Sequence, residues 1–362
     1  MVQEIPLFKQ YPKLKEIPWV SVINFPTPIH RMEQTSKELN HNEIWVKRDD
    51  LTHDVYGGNK PRKYEFVFAD ILKKKKDTIL TQGAIGTNHG LATTIHAKRF
   101  GLQTHLFLVE QEPSQTVLEN LLCHHYFGAK LHLMSNNRQR KLRIQLKLLF
   151  NRSSYFVTTG ASSPLGTLGF VNAAFELKEQ IDKKLVPEPN KLFVAVGSLA
   201  TCAGLVLGLE LAQVETQIIG IGVTDPSWSS KEATLELASE ALKIMREVDS
   251  SIPDVTQEMG KRLVVDHSYF GGKYGLSTAE ALEAIEIAKK DNLKLEYVYT
   301  GKTLSGLIDY IRKGKILESE TVLFWNSKSS ADLTPYVKKT KYQDLPKEFH
   351  KFFKDFTSFT DN

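Results

Sequence analysis

Short apolar segments rich in β-forming residues alternate with longer amphipathic segments along most of this 362-residue chain. Hydrophobic strands that alternate with helices predict an α/β fold, with parallel or mostly parallel sheets and helices on both faces. The predicted strands are 43–48, 78–83, 104–110, 130–134, 155–159, 191–196, 217–223, 295–300 and 321–326. The predicted helices are 88–100, 114–127, 137–150, 166–184, 231–247, 278–290 and 303–313.

The length of the chain is sufficient for two domains, each with its own core. Four helical patterns and about four strands fall between residues 61 and 165. We therefore expect a small inserted α/β domain at 61–165 and a large domain built from 1–60 and 166–335. The alternation fades after about residue 330, and we expect residues 336–362 to form a C-terminal helix or tail.

Charge and cysteine content exclude several classes of function. The formal net charge is only +5, and the lysines are scattered, so nucleic acid is not an expected partner, whereas small acidic metabolites are compatible. Two cysteines are too few for a disulfide framework or a typical zinc site. The adjacent His124 and His125 point in different directions on a helix, so we expect no metal there.

Membrane association is not expected. The N-terminal residues lack the apolar run of a signal peptide. The segment Leu192 to Ala212 approaches the length of a transmembrane span, but it divides into "KLFVAV", "GSLAT" and "CAGLVLGLELA". That order is typical of a buried strand, a tight loop and a buried helix. We expect a soluble, cytoplasmic protein.

Three strand-to-helix junctions are unusually rich in small polar residues. In open α/β sheets, ligands bind beyond the carboxyl ends of the strands, where helices begin. The junctions are "AIGTNHG" after the strand at 78–83, "GSLATCAG" after 191–196, and "GKTLSG" after 295–300. Their candidate ligand-binding residues are Thr87, Asn88, His89, Gly197, Ser198, Thr201, Thr300 and Gly301.

The loop "GSLATCAG" has the composition of an anion site. Glycine allows close backbone approach, hydroxyl groups donate hydrogen bonds, and free N–H groups at a helix start favour a phosphate. The loop lacks the Gly-Lys-Ser/Thr ending of a Walker loop, and "GIGVTD" at 220–225 lacks the last glycine of a dinucleotide fingerprint. A simple tight turn remains an equal interpretation of the same residues.

Lys60 follows two glycines in "YGGNKPRKYEF" and stands at the start of a predicted helix. It could be an exposed lysine, a phosphate partner, or an amine that forms a Schiff base. The last role requires loss of its proton, which burial or nearby cations promote, and Arg62 and Lys63 are the candidate cations. Spacing alone leaves the three interpretations open.

Four motifs in order resemble the pyridoxal-phosphate enzymes of the tryptophan-synthase-β fold, also called fold type II. They are "KRDDLTHDVYGGNKPRKYEF", "GTNHG", "GSLATCAGL" and "VYTGKTLSGLID". Within that group the chain is most similar to the D-cysteine desulfhydrase and 1-aminocyclopropane-1-carboxylate deaminase family. The segment "PWVSVINFPTPIHRM" at 18–32 also resembles the opening of that family, and the likeness extends to about residue 326.

The resemblance implies a pyridoxal 5'-phosphate cofactor, a small amino-acid substrate and a homodimer. It implies that Lys60 forms the Schiff base with the cofactor, that Lys63 lies near the phosphate, and that Asn88 binds the phenolic oxygen. The substrate carboxylate would be held by Thr87 and His89, with the N–H groups around them, and Tyr274 and Tyr299 would face the substrate. The loop around the phosphate would consist of Gly197, Ser198, Leu199, Ala200 and Thr201.

Thr300 would meet the pyridine nitrogen, and its chemistry separates two activities of the family. A carboxylate there keeps the nitrogen protonated, which suits the deaminases that open the cyclopropane ring. A threonine hydroxyl leaves the nitrogen neutral, which suits β-elimination as in the desulfhydrases. The "TNHG" motif is also closer to the desulfhydrase "SNH" than to the deaminase "SNQ". The resemblance therefore favours a D-cysteine desulfhydrase-like lyase.

The chain departs from the family pattern at three places. Thr87 stands where serine is usual, Leu199 and Ala200 stand where glycines are typical, and "WNSKSS" replaces a glycine-rich turn. A side chain at 199 or 200 could obstruct the phosphate or resist a positive φ. The alternatives are a 1-aminocyclopropane-1-carboxylate deaminase and a binder of the cofactor or of a metabolite without turnover. A nicotinamide oxidoreductase is disfavoured by the missing fingerprint.

Overall fold

The computed structural model describes residues 4–354, which form two compact units. Of these residues, the large unit comprises 4–66 and 162–330, and the small unit comprises 67–161 and 331–354. The strands are β1 Ile29–Arg31, β2 Ile44–Lys47, β3 Thr78–Ala84, β4 Gln103–Val109, β5 Lys130–Met134, β6 Ser154–Phe156, β7 Lys191–Val196, β8 Gln217–Gly222, β9 Leu263–Asp266 and β10 Val322–Trp325. The helices are α1 Pro6–Gln10, α2 Glu33–Glu38, α3 Lys60–Lys73, α4 Asn88–Arg99, α5 Gln115–Tyr126, α6 Asn137–Phe150, α7 Pro164–Asp182, α8 Ala200–Leu211, α9 Lys231–Val248, α10 Thr256–Arg262, α11 Ala279–Lys289, α12 Thr300–Arg312 and α13 Thr334–Val337.

The large unit contains a six-stranded sheet in the order β1-β2-β10-β7-β8-β9, in which only β1 runs antiparallel to its neighbour. Alternate residues of β7 enter different cores. Leu192 and Val194 pack with α7, α8 and α9, whereas Phe193 packs with α11 and α12 on the other face. The predicted fold class, a mostly parallel sheet with helices on both faces, is confirmed.

The small unit contains a four-stranded parallel sheet in the order β5-β4-β3-β6. Leu106 and Leu108 of β4 pack with α5 on one face, and Phe107 packs with Ile144 of α6 on the other. The segment expected as a C-terminal helix or tail contains two 3-10 helices, and the second, Lys347–Phe353, joins the α5 core through Phe349. Residues 355–362 of that predicted segment lie outside the described residues.

The apolar segment from Leu192 to Ala212 folds as strand β7, a loop and helix α8, as predicted. Within residues 4–354, no helix combines the length and the apolar character needed to cross a membrane.

A fully buried charge network fixes the first turn of α3 in the large unit. The Arg62 guanidinium donates to Asp49 at 2.7 and 2.8 Å and to Glu176 of α7 at 2.8 Å. Lys47 of β2 also pairs with Glu176, and Trp325 of β10 donates its indole N–H to Asp49 at 2.7 Å. One side chain of α3 is thereby tied to two neighbouring strands and to α7.

Replacing Arg62 by methionine should lower the free energy of unfolding by about 3–5 kcal/mol, because two carboxylates would lose their buried cation. Arg62→Lys should not restore stability, since lysine cannot make the two-pronged contacts of the guanidinium. The measurement is urea unfolding followed by tryptophan fluorescence.

The matched control is Arg312→Met. Arg312 pairs with Glu283 at 2.7 Å, but both side chains are about half exposed (48% each), so its loss should cost less than about 1 kcal/mol. Equal losses in the two variants would contradict a structural role for the buried network.

Candidate active site

The turn before Lys60 is packed so closely that both of its glycines are required. A Cβ on Gly57 would lie 2.2 Å from the carbonyl oxygen of Asp50. Gly58 has φ +92°, a conformation that side chains disfavour. The glycines therefore allow a fixed, tight turn that ends where α3 begins, and Lys60 is the first residue of that helix.

The amine of Lys60 lies 5.7 Å from the centroid of the Tyr299 ring. Although the residue is partly exposed, its ammonium group is enclosed, and burial lowers its pKa to about 8. The positive charge of Lys328 lowers the pKa of Lys60 further, and the carboxylate of Glu296 acts in the opposite direction. An amine of this kind is partly unprotonated near neutral pH, which nucleophilic chemistry requires.

The structure adds a cation near Lys60 to the two candidates from the sequence, Arg62 and Lys63, whose effect on the pKa of Lys60 stays a prediction. Arg62 is fully paired with Asp49 and Glu176, so its charge is offset. Lys63 is completely buried, and desolvation lowers its own pKa well below the ordinary value. The cation whose charge lowers the pKa of Lys60 is Lys328, on the turn that follows β10.

The loop after β7 lies beside Lys60 and Tyr299. A Cβ on Gly197 would be 3.3 Å from Cε1 of Tyr299, so glycine lets the ring approach the backbone. The side chain of Asn59 donates to Oγ1 of Thr201 at 2.9 Å, which ties the residue before Lys60 to the first turn of α8. Within the large unit, the structure thus brings together three of the sequence motifs.

Ser162, which the sequence analysis missed, also belongs to this loop. Its hydroxyl group donates to the carbonyl of Ser198 and accepts from the N–H of Ala200 at 3.1 Å. Ser162 stands in "GASSPLG" before α7, and this run of small polar residues was the available signal. The loop is therefore supported by a hydroxyl group from a distant segment.

Leu199 occupies a strained conformation at the start of α8, with φ +71° and ψ −51°. This region of backbone space is rare and unfavourable for a residue with a side chain. Its side chain packs against the core formed by α7, α8 and α9. The expectation that residue 199 would need a positive φ is therefore confirmed. Packing of the leucine side chain against the core offsets part of the conformational strain.

Tyr274 and Tyr299 form a hydroxyl pair with their oxygens 2.5 Å apart. The Tyr274 ring is half exposed, whereas its hydroxyl group is enclosed, and burial raises its pKa. Burial also raises the pKa of Tyr299 well above the ordinary value, and the nearby Tyr274 adds to that effect. Both groups keep their protons near neutral pH and are available as hydrogen-bond donors.

Residues 295–300 are not a strand, contrary to the prediction. The Glu296 carboxylate accepts the backbone N–H groups of Val298 at 2.8 Å, Tyr299 at 2.8 Å and Thr300 at 3.0 Å. Thr300 is buried at the first position of α12, and its hydroxyl oxygen accepts the N–H of Glu296 at 3.1 Å. The β-rich composition of "LEYVYT" hid a helix start that Glu296 caps.

Thr87, Asn88 and His89 lie at the N-terminus of α4 in the small unit, as predicted. Thr87 is the N-cap residue, and the side chain of Asn88 accepts a hydrogen bond from Asn120 at 3.0 Å. His89 is buried, with Nε2 2.8 Å from the hydroxyl of Thr81. Their assigned contacts with cofactor and substrate stay predictions.

Lys60 should titrate near pH 8 when its resonance is followed by NMR after reductive ¹³C-methylation. Lys328→Met should raise this pKa, because it removes a neighbouring cation, and Glu296→Gln should lower it, because it removes an anion. Lys60→Arg identifies the resonance. An unshifted pKa above 10, or shifts of the opposite sign, would refute the enclosed position of the amine.

Glycine at position 199 should be more stable than alanine there by about 1–2 kcal/mol. Both substitutions remove the leucine packing, so the difference between them isolates the backbone strain. At Ala203, within α8, the alanine-to-glycine change should instead destabilise the protein by about 1 kcal/mol. Urea unfolding measures both differences, and the same sign at the two positions would argue against strain at Leu199.

Comparison with known proteins shows the family to which the chain belongs. The sequence profile of a family described as "Pyridoxal-phosphate dependent enzyme" matches residues 20–328. A putative 1-aminocyclopropane-1-carboxylate deaminase of Pyrococcus abyssi is 31% identical over 325 residues, which cover 88% of this chain and 92% of the relative.

The fold of this chain is also similar to solved structures. The crystal structure of an ACC deaminase homologue has a TM-score of 0.76 and 29% identity, and the match covers 93% of this chain and 98% of that chain. A fungal L-serine ammonia-lyase from Rhizomucor miehei has a TM-score of 0.61 over 89% of this chain and 100% of its own, and at 18% identity it supports the fold alone. The expected fold type II and pyridoxal phosphate cofactor are confirmed. The chain belongs to the family of pyridoxal-phosphate dependent enzymes.

Proposed function

We propose that this enzyme uses Lys60 to bind pyridoxal 5'-phosphate and catalyses β-elimination and deamination of a small, D-cysteine-like amino acid to a 2-oxo acid and ammonia. One observation carries the proposal. The amine of Lys60 is enclosed beside Tyr299 and the glycine loop after β7, and its pKa is lowered to about 8. Lowering the pKa of a lysine by burial is how an amine becomes a nucleophile near neutral pH.

The residues around Lys60 fit a polar cofactor. Oδ1 of Asn59 and Oγ1 of Thr224 are buried without a hydrogen-bond partner among the described residues. Asn59 precedes Lys60, and Thr224 follows β8, where a Cβ on Gly197 would lie 3.8 Å from its methyl group. Buried polar atoms without partners are unfavourable unless a ligand or water satisfies them. These atoms would therefore be satisfied by the polar groups of the cofactor.

Lys63 and the start of α8 suit the phosphate. Burial disfavours the charged form of the Lys63 amine, and a phosphate nearby would favour that form. The first N–H groups of α8 lack intrahelical acceptors and lie at the positive end of the helix dipole. In this proposal, Lys63, Ser198 and Thr201 hold the phosphate, and Leu199 and Ala200 contribute backbone contacts.

Bound pyridoxal phosphate supplies an aldehyde for exchange between amines and a conjugated ring that spreads negative charge. Lys60 supplies the proton transfer, since its neutral Nζ accepts the α-proton of the substrate. At pH 7 a group with a pKa of about 8 is unprotonated in roughly one molecule in ten, which is sufficient for a general base.

Tyr274 and Tyr299 would orient the substrate. Their raised pKa values keep both hydroxyl protons in place, so the pair donates hydrogen bonds rather than carrying negative charge. One hydroxyl group donates to the other at 2.5 Å, which leaves a proton free to meet an anionic substrate group. The half-exposed ring of Tyr274 would cover the substrate and exclude water.

A 1-aminocyclopropane-1-carboxylate deaminase is the second candidate, because the similar Pyrococcus abyssi protein and the solved homologue are both named for that activity. Thr300 distinguishes the two activities in this proposal, because a hydroxyl group stores less charge on the ring than a carboxylate would. Preference for D-cysteine, a homodimeric state and a cytoplasmic location stay predictions.

Purified protein incubated with pyridoxal 5'-phosphate should turn yellow, and borohydride reduction should fix the cofactor on the peptide that contains Lys60. D-cysteine should then yield pyruvate, because elimination of the β-thiol precedes hydrolysis. Lys60→Ala should lose the yellow absorbance, the labelled peptide and at least 1000-fold of the activity. Absorbance, peptide mass spectrometry and an oxo-acid assay measure the three effects.

The control is Lys243→Ala, at an exposed position of α9, which should behave like the original protein. Formation of 2-oxobutyrate from the cyclopropane amino acid, without pyruvate from D-cysteine, would favour the second candidate. Covalent binding without any oxo acid across a panel of D- and L-amino acids would identify a non-catalytic binder.

A further inference from the structure

The turn that follows β10 places a cation next to the candidate active site. The N–H of Asn59 donates to the carbonyl of Ser327 at 3.0 Å, and the N–H of Gly57 donates to Oγ of Ser329 at 3.0 Å. These two bonds hold Lys328 against the turn that precedes Lys60.

The two ammonium groups lie on neighbouring tyrosines. Nζ of Lys328 is 5.6 Å from the centroid of the Tyr56 ring, and Nζ of Lys60 is 5.7 Å from that of Tyr299. The two rings are close enough for Tyr56 to contribute to the raised pKa of Tyr299. The positive charge of Lys328 also lowers the pKa of Lys60. The positive charge of Lys328 therefore influences the electrostatics around Lys60, where the reaction would occur.

Lys328 has no carboxylate partner in the part of the chain that the structure describes, residues 4–354. Glu296, the carboxylate that raises the pKa of Lys60, already accepts three backbone N–H groups. On the same turn, Asn326 is completely buried, and neither polar atom of its side chain has a partner among the described residues. A cation and an unpaired amide on one turn call for an anionic ligand.

We propose that Lys328 binds a second anionic group of the substrate, so that the enzyme acts on amino acids with a negatively charged β-substituent, such as a sulfate ester. This inference rests on the proposed β-elimination. An uncharged thiol or methylene group would leave the ammonium without a counter-ion in a partly enclosed site, whereas an anionic group pairs with it. The unpaired Asn326 amide is the second candidate donor to that group.

β-Elimination from such a substrate requires neither an oxidant nor a reductant. For serine O-sulfate, the α-proton passes to Nζ of Lys60, the electron pair of that C–H bond forms the Cα–Cβ double bond, and the Cβ–O bond breaks. Sulfate leaves with the bonding electrons, and the released enamine takes up water to give pyruvate and ammonia. The Lys328 ammonium would offset the charge that develops on the departing group.

The test compares both enantiomers of serine O-sulfate with β-chloroalanine, whose leaving group is uncharged before elimination, on the enzyme loaded with pyridoxal phosphate. The readout is the ratio of kcat/KM values for the sulfate ester and the chloride, because any general effect on Lys60 cancels in that ratio. Lys328→Met should lower the ratio at least tenfold, and Lys328→Arg should retain most of it. Lys243→Met, at the exposed control position, should leave it unchanged.

Three other outcomes have distinct meanings. A ratio that does not change in Lys328→Met would overturn the role of Lys328 while leaving the proposed function intact. A parallel loss of cofactor affinity, measured from the yellow absorbance during titration, would assign Lys328 to the cofactor phosphate and would also overturn it. No pyruvate from either substrate would refute the proposed β-elimination itself, and this inference with it.

Discussion

The buried guanidinium of Arg62 is the constraint on which the site depends. A charge taken out of water is tolerated only when it is fully paired, and Arg62 meets Asp49 and Glu176 at hydrogen-bond distance. These partners lie on the short turn that follows β2 and on α7, so the network has one arrangement in which every charge is satisfied. Lys60 is two residues away on the same helical turn. A network of buried charge therefore fixes the position of a residue that must itself lose its charge.

Close backbone packing is the second constraint, and it explains why small residues surround Lys60. Gly57 and Gly197 each lie where a side chain would meet a neighbouring group. Because the segments approach so closely, Asn59 and Thr201 can link the start of α3 to the start of α8. The carboxyl ends of β7, β8 and β10 lie at the same edge of the sheet, and the loops that follow them supply the polar atoms near the amine.

Sequence alone predicted the elements with strong, long patterns. The segment from β7 to α8 was predicted correctly because two long apolar stretches are separated by a short loop that contains glycine and hydroxyl residues. Strands β1 and β9 were missed, since three or four half-buried residues carry too weak a pattern. The segment at 295–300 was misassigned because Tyr and Val favour strands, whereas the capping carboxylate of Glu296 decides the local structure. Local propensity yields to such tertiary and capping contacts.

Sequence motifs identified Lys60 but could not identify the charges that act on it. Arg62 is paired with buried carboxylates, burial lowers the pKa of Lys63, and Lys328 comes close to Lys60 only through the fold. Its charge has two consequences with one physical cause. A cation that disfavours a proton on Lys60 also attracts an anion to the same space, so the reactivity of the amine and the charge of the preferred substrate are coupled. In the proposed reaction, a chain with glycine at position 328 would lack both effects, so substrate choice would depend on the turn after β10.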